Sequence, residues 1–493
     1  MTPTRPHRDR RPSAPAPRVN PGRGVGDELA LLASGRAGSV DLVREHLARA
    51  AAHDDDSAAG PGLRALVAVD PAAGRHAARL DAERAAGTVR GPLHGVPLVV
   101  KDNIATGDLP TSAGSAALAT YRPRDAAVVV RRLRRAGALV LATTNLSELS
   151  WHGTFTRSSV RGLARNPHDR RLSTSGSSGG TAAAVAAGFA PAGLGTDSCG
   201  SVLGPAAHQG LVGFRPTRGT VPLDGVVPLS PRQDAVGPLA TSVADAALLA
   251  SVLAADPSLA PPFPAGALRG KRIGWFPWEP HTGPAAAPVD ALVHRALGDL
   301  AARGAHVVEV PFTPGFAARL ADGGWLDVRA SLDAFLGTTP ARWPDGLAEL
   351  TAPHGRLTLS DVVADGRSTV PPDVLATWLA LPDVPNPAYD AAVAAQDTGR
   401  RLLGEFFAAH DLAALAMPTA TAPATPDRAG TAFCGVTANT GFPAVTVPAG
   451  STPEGLPVGL QLVAPPGADA ALLALAHDYE QATGHHRPPP GFG

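Results

Sequence analysis

Apolar positions along the chain switch between helical and strand periods. From Asp27 they recur at helical spacing in DELALLASG and again in SVDLVREHLARAAA, where Ser39 stands as an N-cap, so two surface helices are predicted there. GVPLVVKDNI breaks this pattern with an apolar run from Val96 to Val100 bounded by glycine and proline, which predicts a buried strand ending at Lys101. AAVVVRRLRRAGALVLATTN predicts a helix, a glycine turn at Gly137 and a second strand, ALVLAT. Residues 162–180 are poor in apolar side chains and end in STSGSSGG, directly before the Ala-rich helix TAAAVAAGF; GLGTDSCGS then reads as a glycine-dense turn. TSVADAALLASVLAAD predicts an amphipathic helix with Ser242 and Asp245 in capping-box spacing. Proline punctuation over about 261–387 predicts a less regular rim, after which AVTVPAG and VGLQLVA predict two strands and DAALLALAHDYEQATG a closing helix. Strands alternating with helices predict an α/β fold whose sheet is covered on both faces, and no repeat of about 20 to 50 residues suggests a solenoid.

Composition narrows the function classes. A chain of 493 residues, 44% hydrophobic, can bury a large core, and length alone would suggest about three domains. Its 43 basic and 43 acidic residues cancel and aromatics are only 4%, so neither steering toward nucleic acid nor a base-stacking platform is expected, and a small or neutral partner is. No uninterrupted apolar stretch is long enough for a spanning helix, so no membrane partner is expected. Residues 1–24, rich in Pro and Arg, lack the apolar centre of a secretory leader and are expected to be a disordered tail. Cys199 and Cys434 form no CxxC, and neither HExxH nor an acidic calcium loop occurs; no metal or cofactor is expected, a disulfide scaffold is argued against, and a reducing, cytoplasmic setting is the expectation. Cys434 reads as a small buried apolar residue.

The candidate chemistry gathers around GSSGG. It satisfies G-x-S-x-G with Ser178 at the centre, but a nucleophile elbow needs an apolar strand before it, and NPHDRRLSTS is polar. A rigid polar turn at a helix N-terminus is the better reading. Only two of the 43 basic residues are lysines, Lys101 and Lys271. Lysine alone of the two basic residue types can give up its proton and act as a base, and Lys101 follows an apolar run that would bury it, whereas Lys271 lies in a polar turn. Taken alone, Ser201 would pass for a turn serine and Lys101 for a strand-end lysine.

GSSGGTAAAVAAGFAPAGLGTDSCGSVLGPAA resembles the signature of the amidase signature family, in which a Gly-Ser-Ser-Gly-Gly loop is followed 24 residues later by a second serine in a glycine-rich turn; here these are Ser177 and Ser201. PLHGVPLVVKDNI, LVGFRPTRG, QDAVGPLATSVADAALL and GFPAVTVPAG look like further family landmarks, in family order. The resemblance implies one domain over 25–493 with its core at about 25–260 and 388–493, a mixed, twisted sheet covered by helices on both faces, and a substrate-binding rim at about 261–387. It implies an amide hydrolase in which Ser201 is the nucleophile, Ser177 a bridging serine on a cis peptide, Lys101 the base, and the backbone N–H groups of Ser198, Cys199, Gly200 and Ser201 the oxyanion hole. A serine hydroxyl needs such a base to become nucleophilic, and a lysine serves only when burial keeps it neutral. Asp197 is expected to be structural. A thiolate nucleophile at Cys199 is the rival, with no nameable partner to activate it.

One departure bears on substrate. The residue two after the nucleophile is commonly arginine in the family and is Leu203 here, which implies a neutral or apolar acyl group. The central glutamine- and tRNA-contacting region of the transamidosome subunit is not recognisable, nor is the spanning helix of the membrane-bound fatty acid amide hydrolases. An acyl-transferring enzyme, or a non-catalytic partner of the same fold, is the alternative to hydrolysis. Trp151, His152, His208 and Trp325 are candidate pocket side chains, and a homodimer would be ordinary.

Overall fold

The structure, a computed structural model, describes residues 22–58, 60–278, 286–320, 324–338, 341–342 and 356–492; of the expected tail, residues 1–21 lie outside them. Among the described residues eleven strands form one sheet: β1 (Leu66–Val69), β2 (Pro97–Lys101), β3 (Leu139–Thr144), β4 (Ala192–Asp197), β5 (Val212–Arg215), β6 (Ala235–Ala240), β7 (Arg272–Trp275), β8 (His306–Glu309), β9 (Ala414–Pro418), β10 (Ala444–Ser451) and β11 (Pro457–Val463). Their order across the sheet is β1-β3-β2-β4-β6-β5-β10-β11-β9-β7-β8. β2 is parallel to β3 and β4, and β7 to β8 and β9, while the other pairs are antiparallel, so the sheet is mixed.

The helices that matter here are α1 (Val25–Ala33), α2 (Ser39–His53), α3 (Val128–Arg135), α4 (Gly179–Ala186), α5 (Leu203–Ala207), α6 (Val243–Ala254), α7 (Pro387–Ala409), α8 (Cys434–Ala438) and α9 (Asp469–Thr483). Successive residues of β2 feed different cores: Leu98 and Val100 pack in one cluster with residues of α3 and α6, and Val99 in another with Ala182, Ala183 and Val185 of α4. Helices therefore cover both faces, and Lys101, two residues beyond Val99, belongs to the α4 side. The Ser242 cap forms as expected, accepting from the Asp245 N–H at 3.1 Å. Asp245 itself accepts from the N–H groups of Val25 and Gly26 at 3.1 and 2.9 Å, capping α1 as well. α2 begins at Ser39 with Gly38 as its cap; the Ser39 N–H donates to Asp81.

Three readings of the sequence change. GLGTD is a central, fully buried strand, β4, and not part of a turn. A Cβ on Gly193 would stand 2.6 Å from Thr181 and 2.8 Å from Val99, so the glycine lets α4 lie close on the sheet, a use that looks like a strand breaker in sequence. DAVGPLA supplies the neighbouring β6 although Pro238 interrupts it. Residues 272–309, expected in the rim, add β7 and β8 to the sheet. Of the rest of that stretch, the described helices Val328–Thr338, Leu359–Ala364 and Pro372–Leu379 pack as an apolar group on Leu149, Val227 and Leu229.

Candidate active site

Lys101 ends β2 with no exposed surface. Its Nζ donates to Ser177 Oγ at 2.7 Å and to Thr196 Oγ1 at 2.8 Å. Burial pulls the ammonium pKa down to about 7, against the opposing pull of the Asp197 and Asp234 charges, so near pH 7 about half of the amines are without the extra proton. Ser177 follows a cis peptide bond from Gly176, in the turn that opens α4. The Ser178 N–H donates to the Ser201 carbonyl at 3.2 Å, which lays the two serine-bearing turns side by side. The Ser178 hydroxyl is directed to the Thr196 carbonyl at 3.1 Å, and no strand precedes the turn, so the elbow reading stays excluded.

The turn carrying Ser201 is organised by Asp197, the last residue of β4. Its carboxylate accepts from the N–H groups of Gly200 and Val202, both at 2.8 Å, and from Leu203 at 3.4 Å. The Arg215 guanidinium meets it at 2.8 Å, both side chains fully buried. Asp197 is thus structural, as expected. This corrects one expectation, since the Gly200 N–H is engaged by Asp197 and is not free to serve an oxyanion hole. Gly200 is there for its backbone: φ is +82°, and a Cβ would fall 2.5 Å from Thr431 Oγ1.

A second correction concerns the cysteines. Cys199 and Cys434 are joined, Sγ to Sγ, at 2.05 Å, tying the Ser201 turn to α8. Cys434 is therefore no simple apolar filler, the reducing setting argued from two free thiols loses its basis, and a bonded Cys199 cannot be the rival thiolate. The reason lies in topology: 235 residues separate the two in sequence, and only β9 and the chain after it bring α8 back to the turn.

Residues not singled out from sequence complete the site. Asn103 Nδ2 donates to Thr196 Oγ1 at 3.1 Å, orienting the hydroxyl that meets Lys101. Ser198 Oγ donates to Asp234, which also accepts from the N–H groups of Leu229 and Ser230; burial pushes the Asp234 carboxyl up to about 6. Asp102 is likewise buried and pushed up to about 7, opposed by hydrogen bonds from Ser112. Thr196, Arg215, Asn103 and Asp234 all stand inside quoted landmarks, but nothing in the local pattern marks any of them as part of the site.

Of the candidate pocket residues, Trp151, His152 and Phe155 form a half-buried aromatic group, His152 stacking on Phe155 at 4.3 Å. Burial and then the Arg428 charge hold His152 below its ordinary range. This loop abuts the cis turn, the Gly176 N–H donating to the Gly153 carbonyl at 2.9 Å. His208 is buried against the Gly430 carbonyl at 3.0 Å. Trp325 packs in the Leu149 cluster, which Trp151 also joins. Leu203 is buried in the core, and Lys271 is exposed before β7, as expected. No trio of His, Cys, Asp or Glu placed to hold a metal occurs among the described residues, nor any helix long and apolar enough to cross a membrane.

With this geometry in view, residues 41–473 match a family model described as Amidase. The chain is 33% identical to mandelamide hydrolase of Pseudomonas putida over 94% of this chain and 92% of that protein. It is 34% identical to a glutamyl-tRNA(Gln) amidotransferase subunit of Salinispora tropica over 94% and 98% of the two chains. The native peptide amidase of Stenotrophomonas maltophilia superposes with a TM-score of 0.79 at 36% identity, covering 94% of this chain and 98% of that one.

Proposed function

The chain belongs to the amidase family of amide-hydrolysing enzymes, and from that premise we propose that it cleaves a small-molecule carboxamide through an acyl-enzyme on Ser201. The observation that carries the reading is the dry Lys101 amine, its pKa pulled down to about 7 and its Nζ 2.7 Å from Ser177 Oγ. In the first half-reaction Ser201 Oγ bonds to the amide carbon while its proton passes to Ser177 and the Ser177 proton to Lys101. The same relay then returns a proton to the leaving nitrogen as the C–N bond breaks. Water attacks the ester by the reverse proton path and frees the acid. The N–H groups of Ser198, Cys199 and Ser201 receive the negative oxygen, each worth about 3 kcal/mol to the transition state. Leu203, standing two residues after Ser201 where the family commonly has arginine, favours a neutral or apolar acyl group.

Fluorophosphonate labelling with peptide mapping tests the assignment. Label should appear on Ser201 in the wild type and vanish in Ser201→Ala and Lys101→Ala; label on Ser178 would overturn it. Adding hydroxylamine to a working reaction reads the alternative, because hydroxamate formed at the expense of acid without slowing turnover would point to acyl transfer.

A further inference from the structure

The turn from Ser198 to Ser201 is held in three different ways. Asp197 takes the N–H groups of Gly200, Val202 and Leu203, which fixes the half of the turn beyond Cys199. The bond to Cys434 fixes Cys199 through its side chain. Ser198, the first residue, is fixed through its hydroxyl, which donates to the buried carboxylate of Asp234, 36 residues on. The other oxygen of that carboxylate accepts from the N–H groups of Leu229 and Ser230 at 3.0 and 3.1 Å. Both oxygens of Asp234 are thus engaged by the protein itself, which suits the side chain to holding the turn and not to touching substrate.

The segment carrying Asp234 is braced in turn. The Gln233 carbonyl accepts from Arg215, and Gln233 Nε2 donates to Oδ1 of Asn439, the residue that closes α8, at 2.7 Å. Leu229 packs in the apolar group that includes residues of the helices Val328–Thr338 and Pro372–Leu379, so one carboxylate connects Ser198 to the variable stretch of the chain. Burial pushes the Asp234 carboxyl up, the Ser198 bond opposes this, and the charge of Asp327, just before the helix Val328–Thr338, adds to it. Arg215 is engaged by Asp197 and by the Gln233 carbonyl. Lys101, at the end of β2, lies within reach of the field of Asp234, and burial of its ammonium is opposed by two carboxylates, Asp197 and Asp234.

We propose that Asp234 is a positioning residue for the reaction: through the Ser198 hydroxyl it holds the first two N–H groups of the Ser201 turn against the substrate oxygen, and its negative charge acts on the Lys101 amine. The inference rests on the Ser201 reading above and adds to it a residue that works at second hand on both the oxyanion donors and the base. Losing one oxyanion donor outright costs about 100- to 1,000-fold in rate, so loosening the first residue of the turn should cost about 10- to 100-fold. Removing a negative charge near an ammonium favours the neutral amine, so the amine then loses its proton at lower pH.

The test is the rate at which a fluorophosphonate probe labels Ser201 between pH 5.5 and 9, in the wild type, Asp234→Asn, Ser198→Ala, Ser198→Thr and the Asp234→Asn/Ser198→Ala double variant. At pH 8.5 Asp234→Asn should lower kinact about 10- to 100-fold with KI within about threefold, and its pH midpoint should lie at least about 0.5 unit below that of the wild type. Ser198→Ala should lower kinact by a similar factor, the double variant should be no slower than Asp234→Asn, and Ser198→Thr, which keeps the hydroxyl, should recover most of the loss. Ser198→Ala leaves Asp234 bonded to Leu229 and Ser230, so it reads the tie even where Asp234→Asn fails to fold. A kinact in Ser198→Ala within about threefold of the wild type, losses that multiply in the double variant, or an unmoved midpoint in Asp234→Asn overturns the proposal and leaves the Ser201 reading intact. A wild type that takes up no label on Ser201 overturns the reading itself.

Discussion

Replacing Lys101 by methionine should make the protein more stable at pH 7 while abolishing its activity. The buried ammonium pKa lies at about 7 against 10.5 for an unburied lysine, so folding strips a proton from this side chain between those pH values. The unfolded chain binds more protons in that window, and wild-type stability therefore rises with pH through it. Keeping the amine buried costs about 4 kcal/mol at pH 7, about 2 kcal/mol at pH 9, and almost nothing above pH 10.5. Methionine fills similar space without that cost but withdraws two donors, from Ser177 and Thr196, at about 1 kcal/mol each. Thr196 keeps its bond from Asn103. The variant should thus gain about 2 kcal/mol at pH 7, match the wild type near pH 9 and fall below it at higher pH. Urea unfolding of both proteins at pH 7 and pH 9, paired with amide hydrolysis, reads both quantities. A variant less stable at pH 7, or a difference that does not change with pH, would refute a dry, neutral amine.

The same pKa sets the rate profile: kcat/KM should climb with pH around a midpoint of about 7 and level off above it, and a profile flat from pH 5.5 to 9 would contradict Lys101 as base. Ser201→Ala and Ser177→Ala should each lower kcat at least about 1,000-fold with little change in melting temperature, measured by ammonia release and calorimetry. Asp197→Ala deprives three backbone N–H groups of their acceptor and leaves buried Arg215 unpaired, so a loss of about 3 to 5 kcal/mol is expected in urea titrations; a loss below 1 kcal/mol would mean the turn is held otherwise. Thiol titration of the unfolded, unreduced chain should find no free sulfhydryl, and reduction should lower the urea midpoint because the bond closes a long loop, worth up to about 5 kcal/mol; two titratable thiols would remove the link.

Much of this protein is written in local pattern. The apolar run before Lys101, the Ala-rich helix after GSSGG and the Ser242 cap depend on residues next to one another, and β2, α4 and α6 form where periodicity and capping put them. Lys101, Ser177 and Ser201 are legible only through the resemblance to the amidase signature, since taken alone Ser201 passes for a turn serine and Lys101 for a strand-end lysine. Tertiary packing decided the rest. Glycines in β4 look like chain breakers until α4 is laid on them, and proline looks foreign to a central strand until β6 takes its place between β4 and β5. Gly200 offered an N–H to substrate on paper, and the fold turned it to Asp197. The Cys199–Cys434 bond, the approach of Asp234 to Ser198 and the seating of Thr431 against Gly200 each join segments remote in sequence. No local pattern encodes such meetings, since they exist only once the sheet has set where its strands end.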